Sequence, residues 1–450
     1  MSALLSGLAA AVLLYLALRT VAGLVCLLTS LRGVARSTRE RIYEGLEDAA
    51  RNPLAPPVSV LLPAFSDAGS AAAAVAGLLR LEYPRVEVVV VHDGSTQGAL
   101  PALKKAFDLV PEAPEEVGKL PMKRVHGVYR SRSHGNLVVI DKEDGGRADA
   151  LNAALNHSQH PYFCPVEPGQ APAPDALLRL VRAVLESPSR VVAVGGAVRT
   201  VKSQGTEALR RFRAVEYLRE VMGEGVALSG FNGLMTLSGT FPLVEREAVA
   251  AMGGYRGGDR GEDVDFVVRL HRSLRDGGQR DYAVSFVPEP VCWARADSGL
   301  AAMSRRTRAG QAGLLEMLGR NDAILFDSRY GGLGSVSYPY LLLFKGWGVV
   351  LEGAGYALFA ARLASAGPSS DFVLAFLSLA VVGPAALSVA GLVLGEVAFR
   401  RDPSFPRLAA GLCFALLEGV CYRPLAVALR IIGTVDFLRR RGAARGPAKS

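Results

Sequence analysis

Lys142 and Arg147 stand on either side of the glycine pair Gly145-Gly146, just ahead of a stretch, Ala148 to Asn156, whose apolar positions recur at helical spacing. Paired glycines let a backbone turn tightly and approach a ligand. A helix N-terminus flanked by two cations suits an anionic group such as a diphosphate. Further along, Glu262 and Asp263 open a second helical stretch, Val264 to Leu274, directly after Gly257-Gly258-Asp259-Arg260-Gly261. Carboxylates in that position face a cleft. Each motif also has a plainer reading: a Gly-Gly turn precedes helices in many α/β proteins, and an acidic helix start is stabilised by the macrodipole alone.

The elements that must position these residues read as an α/β layer. Leu137 to Ile140 is short and β-branched, as expected of a buried strand in a parallel sheet. Tyr162 to Val166 is another, leading into Glu167-Pro168-Gly169 and a helix start marked by Pro174. Upstream, Val58 to Pro63 reads as a strand, Ala68 to Leu81 as a helix, and Val86 to Val91 as a strand ending in His92-Asp93-Gly94-Ser95-Thr96. That order predicts a right-handed crossover and parallel pairing. Gly98 to Val110 suggests another helix, and Pro111 to Pro121 a surface excursion. Strands at Val125 to Tyr129 and Val191 to Val194 continue the alternation with helical stretches to about residue 200. Strand ends whose loops face one crevice make a nucleotide site.

Composition divides the chain. Of its 450 residues 50% are hydrophobic and 21% charged, with mean hydropathy +0.25, which predicts that soluble and membrane parts alternate. The net charge of +9 sits largely in arginines beside apolar segments, the pattern of a cytoplasmic membrane face, so no nucleic-acid partner is expected. The five cysteines form no Cys-x-x-Cys pair and read as reduced core residues. Leu4 to Leu31 is long enough to span a bilayer and is followed by Arg32, Arg36, Arg39 and Arg41, as in a signal anchor whose chain then enters the cytoplasm. Val336 to Ala361, Phe372 to Phe399 and Leu408 to Val435 are long enough as well. The last carries Glu418, Arg423 and Pro424 and precedes Arg439-Arg440-Arg441, so it either crosses fully or is bent or re-entrant. Lys345 with Glu352, and Glu418 with Arg423, are intramembrane charges that either pair structurally or line a pathway. The expected organisation is an anchor at 1–33, a linker at 34–56, an α/β domain at 57–300, an amphipathic interface segment at 301–334, a membrane region of two to three helices at 335–436 and a basic tail at 437–450.

Six stretches in order carry a resemblance. Val58 to Phe65, His92-Asp93-Gly94-Ser95, Lys142 through Gly145-Gly146-Arg147 to Asn152, Ser238-Gly239-Thr240-Phe241, Gly253-Gly254-Tyr255 and Gly261-Glu262-Asp263 look like successive motifs of the family-2 glycosyltransferases, in the membrane-bound branch that includes cellulose and hyaluronan synthases. The resemblance covers about residues 55 to 320. It implies a GT-A, Rossmann-like fold binding a nucleoside-diphosphate sugar, with Ala64, Asp67, Asp93, Lys142, Gly146, Arg147 and Asn152 on the donor side. It also implies Ser238, Gly239, Arg306 and Arg308 on the acceptor side, and a catalytic pair of Asp263, as base, with Glu262. The partners it implies are the nucleotide sugar, a lipid or glycan acceptor and membrane lipids, at an inner (plasma) membrane with the transferase domain cytoplasmic. Sugar transfer to a hydroxyl needs a carboxylate for the acceptor proton and positive charge on the leaving diphosphate.

The sequence departs from the family pattern in places. The metal-binding Asp-x-Asp falls on Glu167-Pro168-Gly169, where Gly169 offers no ligand, so magnesium or manganese would be held weakly at Glu167 or not at all. The Gln-x-x-Arg-Trp motif falls near Arg306-Thr307-Arg308-Ala309-Gly310 without its glutamine and tryptophan. His92 replaces an aspartate, and Ser66-Asp67 stand where Asn-Glu is usual. The cluster Arg305, Arg306 and Arg308 could neutralise a leaving diphosphate or bind anionic lipid from the amphipathic stretch Leu300 to Leu318. Two functions follow: a membrane glycosyltransferase, or a non-catalytic relative that scaffolds or regulates polysaccharide assembly.

Overall fold

The computed structural model describes residues 2–43, 52–63, 68–94, 98–113, 118–167, 169–201, 206–237, 241–257, 262–295, 299–368, 370–399 and 405–444. The chain divides into two compact units, one of residues 40–202 and 236–296, the other of 1–39, 203–235 and 297–450.

The first unit is built on a ten-stranded sheet. Its strands are β1 (Val58–Leu62), β2 (Val86–His92), β3 (Leu109–Glu112), β4 (Val125–Ser131), β5 (Leu137–Lys142), β6 (Tyr162–Pro165), β7 (Gln170–Pro172), β8 (Arg190–Val201), β9 (Phe241–Glu245) and β10 (Tyr282–Arg295). They lie in the order β3-β4-β5-β2-β1-β6-β9-β8-β10-β7. β5, β2, β1 and β6 are mutually parallel, as the β-α-β reading requires. All five residues of β1 are buried, which is why it reads as an unbroken apolar run rather than an alternating one.

The sheet is mixed, and that corrects the expectation of a parallel one. β4 runs antiparallel to β5, joined by a short turn rather than a helix, and β9 runs antiparallel between β6 and β8. The helix expected to reach Val110 stops at Phe107, where Asp108 takes φ 45°, and β3 follows. Val191 to Val194 proves to be the start of a strand running from Arg190 to Val201. Its glycine notch lets β10 come close: a Cβ on Gly196 would stand 2.2 Å from Val291 Cγ2. Cys164 and Cys292 lie in this core, and burial pushes the Cys292 thiol up to about 12.

The second unit is helical. Among its described residues, four helical segments are long and apolar enough to cross a membrane: Leu4–Ala35, Leu333–Ser365, Asp371–Glu396 and Leu408–Gly442. The last is one continuous helical run of 35 residues, about 52 Å at 1.5 Å per residue. The helix runs on without a break through Pro424. A π turn at Glu418–Tyr422 absorbs the irregularity just ahead of the proline, with helical dihedrals at Leu417 and Arg423 on either side.

The polar helix Glu207–Leu218, continued by a π turn at Arg219–Gly225 and by Val226–Gly230, also belongs to this unit. It supplies partners for the membrane charges, and the pairs anticipated from sequence are corrected accordingly. Lys345 meets Glu220 at 3.1 Å and Glu224 at 2.7 Å rather than Glu352. Glu352 takes Arg19 at 2.6 Å and Arg423 at 2.7 Å. Glu418 accepts from Arg219 and from Ser388. Arg430 reaches Glu216 at 3.1 Å, and Tyr422 donates to the same carboxylate at 2.6 Å. Lys345 and Glu352, seven apart, share a helix face but lie about 10 Å apart along the axis, and Glu418 and Arg423, five apart, do not face each other, so the partners come from neighbouring helices.

Candidate active site

Four parallel strands end on one edge of the sheet. The register pairs His92 with Asp141 across β2 and β5 and Leu61 with Pro165 across β1 and β6, so Asp93, Lys142 and Glu167 all follow strand ends on that edge. This is the carboxyl side, where loops rather than strands form the surface and where open α/β sheets bind ligands. Asp93 is half-buried and followed by Gly94 at φ 78°. His92 Nδ1 is buried without a hydrogen-bond partner among the described residues.

The loop after β5 is folded by its own polar atoms. Asp144 Oδ1 accepts from the Gly146 N–H at 2.9 Å, and Gly146 takes φ 80°, a conformation glycine adopts without strain. Gly145 is constrained by space instead, since a Cβ there would stand 2.3 Å from Asp149 Cγ. Asp149 in turn fastens two things: it accepts from the Lys123 N–H at 2.7 Å and pairs with Lys142 Nζ. The Lys142 side chain has no exposed surface. Its ammonium also donates to the Glu143 carbonyl at 2.5 Å, so Lys142 is an internal strut of the loop.

Arg147 leads the helix Gly146–His157 and turns toward the end of β6. Its Nε and Nη2 both donate to Glu167 Oε1, the former at 3.0 Å. The pair is partly open to solvent, with 30% and 41% of the two side chains exposed. Glu167 is itself set by Gln170, which accepts from its N–H at 3.0 Å.

Asn152 does something that sequence alone does not reveal. Buried at 2% exposure, it donates to the carbonyls of Pro121 and Tyr255 at 3.0 Å each and accepts from the Tyr255 N–H at 2.8 Å. Gly253 and Gly254 bend into this clamp at φ 82° and 75°. A Cβ on Gly254 would meet Asn152 Oδ1 at 2.5 Å. The Tyr255 ring stacks on Phe266 at 4.5 Å and lies edge-on to Phe163. Phe266 belongs to the helix Glu262–Asp276, whose first two residues are Glu262 and Asp263. Asn152 therefore fixes, through Tyr255, the helix that carries the candidate base. Arg269 adds a second tie to the Gly254 carbonyl at 3.0 Å; burial pushes its guanidinium pKa down, against the pull of Asp265.

Ala64, Asp67, Ser238 and Gly239 lie outside the described residues, and of Glu262 and Asp263 only the helix is described. Arg306 and Arg308 lie on the helix Leu300–Arg320 of the helical unit. Arg308 is held there by Asp436, at 3.0 Å from Nε and 2.8 Å from Nη2, and the same helix buries Gln311 against the Lys345 and Gly346 carbonyls. The amphipathic stretch is thus packed against the last helical run, with Ala312 and Leu315 on Phe437.

A mixed sheet presenting acids and a glycine turn along its carboxyl edge is the architecture of GT-A nucleotide-sugar transferases. Residues 59–253 match the model of Glycosyl transferase family 2; this stretch is a family-2 glycosyltransferase domain. Among relatives, the poly-beta-1,6-N-acetyl-D-glucosamine synthase of Staphylococcus epidermidis is 20% identical over 57% of this chain and 54% of its own length. That of Staphylococcus aureus is 20% identical over 64% and 60%. The chain therefore spans little more than half the length of these relatives. The mannosyltransferase PcManGT from Pyrobaculum calidifontis, solved with GDP-Man and Mn2+, aligns over 96% of this chain and 99% of its own at 18% identity and TM-score 0.50. At that identity the likeness is one of fold.

Proposed function

We propose that the protein is a membrane glycosyltransferase moving a sugar from a nucleoside-diphosphate donor to a lipid or growing polysaccharide acceptor, with inversion and with Asp263 as base. The observation that carries this reading is the shared edge of β5, β2, β1 and β6, which gathers Asp93, the Gly145-Gly146 turn, Arg147 and Glu167. Asp93 contacts the nucleoside, and Arg147, at a helix start, neutralises the diphosphate. Lys142 and Asn152 act behind these residues, one holding the loop and the other holding the helix of Asp263.

PcManGT was solved with Mn2+, which raises the question of a divalent cation here. The donor set does not fit one. Glu167 is engaged by Arg147, Gly169 has no side chain to contribute, and no group of three His, Cys, Asp or Glu side chains converges among the described residues. A guanidinium on the diphosphate performs the charge neutralisation that a cation would otherwise supply. The four apolar helices among the described residues support a multi-pass protein, and the arginines after Leu31 favour a transferase unit on the cytoplasmic side.

Calorimetric titration of the purified full chain with a panel of nucleotide sugars tests the reading. Binding of one donor is expected to persist in chelator, and Asp263→Asn is expected to keep that binding while lowering transfer by about 10²–10⁴-fold, the usual contribution of a general base. Absence of binding across the panel would leave a non-catalytic membrane scaffold as the better account.

A further inference from the structure

The five π turns among the described residues of the helical unit, at Arg219–Gly225, Leu333–Ser337, Leu341–Trp347, Ser378–Val382 and Glu418–Tyr422, hold several of its buried or half-buried charges. Arg219, Glu220 and Glu224 lie in the first, Lys345 in the third and Glu418 in the last. A π turn widens the backbone and leaves a gap alongside it. Beside these turns this unit holds a partly open cavity of about 60 Å³, room for a phosphate group.

Its wall is unusual for an apolar bundle. The charged side chains lining it are Arg19, Arg219, Arg423 and Glu224, and Glu224 is already met by Lys345 at 2.7 Å. Each arginine meets its carboxylate through a single nitrogen, and Arg19 also bonds the Tyr15 hydroxyl. Arg19 uses Nη1 on Glu352, Arg423 uses Nε on the same carboxylate, and Arg219 uses Nη1 on Glu418 and Ser388. A guanidinium has about five N–H donors, so most of them have no acceptor among the described residues while the side chains face the cavity. The rest of the wall is mostly apolar, including Leu16, Leu27, Leu379 and Leu387, with the hydroxyls of Thr20 and Tyr340 as polar exceptions. Donors in excess beside a hydrocarbon wall match a ligand with a small, multiply charged oxyanion and an aliphatic tail. Intramembrane cations are costly unless such a partner or a carboxylate offsets them.

We propose that this cavity binds the phosphate headgroup of a membrane amphiphile, with Arg19, Arg219 and Arg423 on the phosphate oxygens and the tail along the leucines. The site is read by binding and does not rest on sugar transfer. The phosphate has two sources, a polyisoprenyl monophosphate or a glycerophospholipid such as phosphatidylglycerol. Native mass spectrometry of the detergent-solubilised full chain, titrated separately with each and with the uncharged polyisoprenol, separates them. A saturable one-to-one complex is expected with at least one of the phosphates and not with the alcohol, and the one that binds identifies the source.

Gly223 offers a variant that leaves every charge in place. It lines the cavity, and a Cβ there meets nothing within 4 Å, so Gly223→Leu fills the space and is expected to weaken phosphate binding at least about tenfold. Arg423→Lys, which keeps the charge beside Glu352 but removes the Nη donors, is expected to do the same. It decides the matter if the first variant does not fold. Equal binding of the alcohol, absence of binding by both phosphates, or affinity unchanged in the variant would overturn the proposal.

Discussion

The two units treat charge in opposite ways. At the strand edge of the sheet, Arg147 and Glu167 keep 30% and 41% of their side chains exposed, and solvent or ligand can replace either partner. In the helical unit, Arg423 and Glu352 keep only 8% and 6%, and Arg219, Glu418 and Ser388 close a second buried cluster. A site that must exchange partners stays half-open and is built from loops. The helical unit instead buries its pairs between helices, where each partner offsets the other's desolvation.

Removing one member of a buried pair should therefore give the largest effect. Glu352→Ala leaves both Arg19 and Arg423 without their carboxylate, and a loss of about 3–5 kcal/mol is expected, seen as a large fall in the detergent melting temperature. The parallel change in the sheet unit, Asp149→Ala, strands Lys142, which has no exposed side-chain surface. It should cost less, because lysine can shed its proton and arginine cannot. Replacing Arg19, Glu352 and Arg423 together by leucine should recover much of the loss. If Glu352→Ala melts like the wild type, the cluster is not what holds the helices.

The sequence disclosed these two kinds of charge unequally. Asp93, Gly146 and Arg147 were legible because they sit at strand ends and in a glycine turn, features set by neighbours a few residues away. The β-α-β core was legible for the same reason. β9 and β10 were not, because their pairing depends on distant strands and on the close approach at Gly196. Asn152 could be singled out but not explained, since its partner Tyr255 lies 103 residues on. The partners of Lys345 and Glu418 were missed altogether. They come from Glu207–Gly230, a stretch whose polar composition hides its place among apolar helices.

A smaller effect tests how open the strand-edge site is. Pro168→Ala with Gly169→Asp restores a second acid beside Glu167, and Arg147→Met added to it frees the first. The triple variant should gain manganese-dependent donor binding, by about 1.5–3 kcal/mol or roughly ten- to a hundredfold, while the double variant gains less because Arg147 still holds Glu167. Calorimetry with and without manganese measures both. Strong manganese dependence already present in the wild type would mean that a ligand outside the described residues completes a cation site, and the contrast between the two units would lose its chemical basis.

The smallest effect is expected where the two behaviours meet. Arg308 donates through two nitrogens to one oxygen of Asp436, between two helices of the apolar unit, yet 42% and 24% of their side chains are exposed. By location the pair resembles the buried cluster, and by exposure it resembles Arg147 and Glu167. Solvent screening should decide, because a charge that keeps its water gains little from a partner and loses side-chain freedom in holding it. A double-mutant cycle of Arg308→Ala and Asp436→Ala should return a coupling of about 0.2–1 kcal/mol that shrinks as salt is raised. The same variants address the lipid-binding reading of this stretch. With Arg308 occupied by Asp436, Arg308→Ala should leave binding to phosphatidylglycerol vesicles nearly unchanged, whereas Asp436→Ala, which releases the guanidinium, should strengthen it. A coupling of several kcal/mol insensitive to salt would place this pair with the buried frame, and location rather than exposure would then be the variable that sorts the charges of this protein.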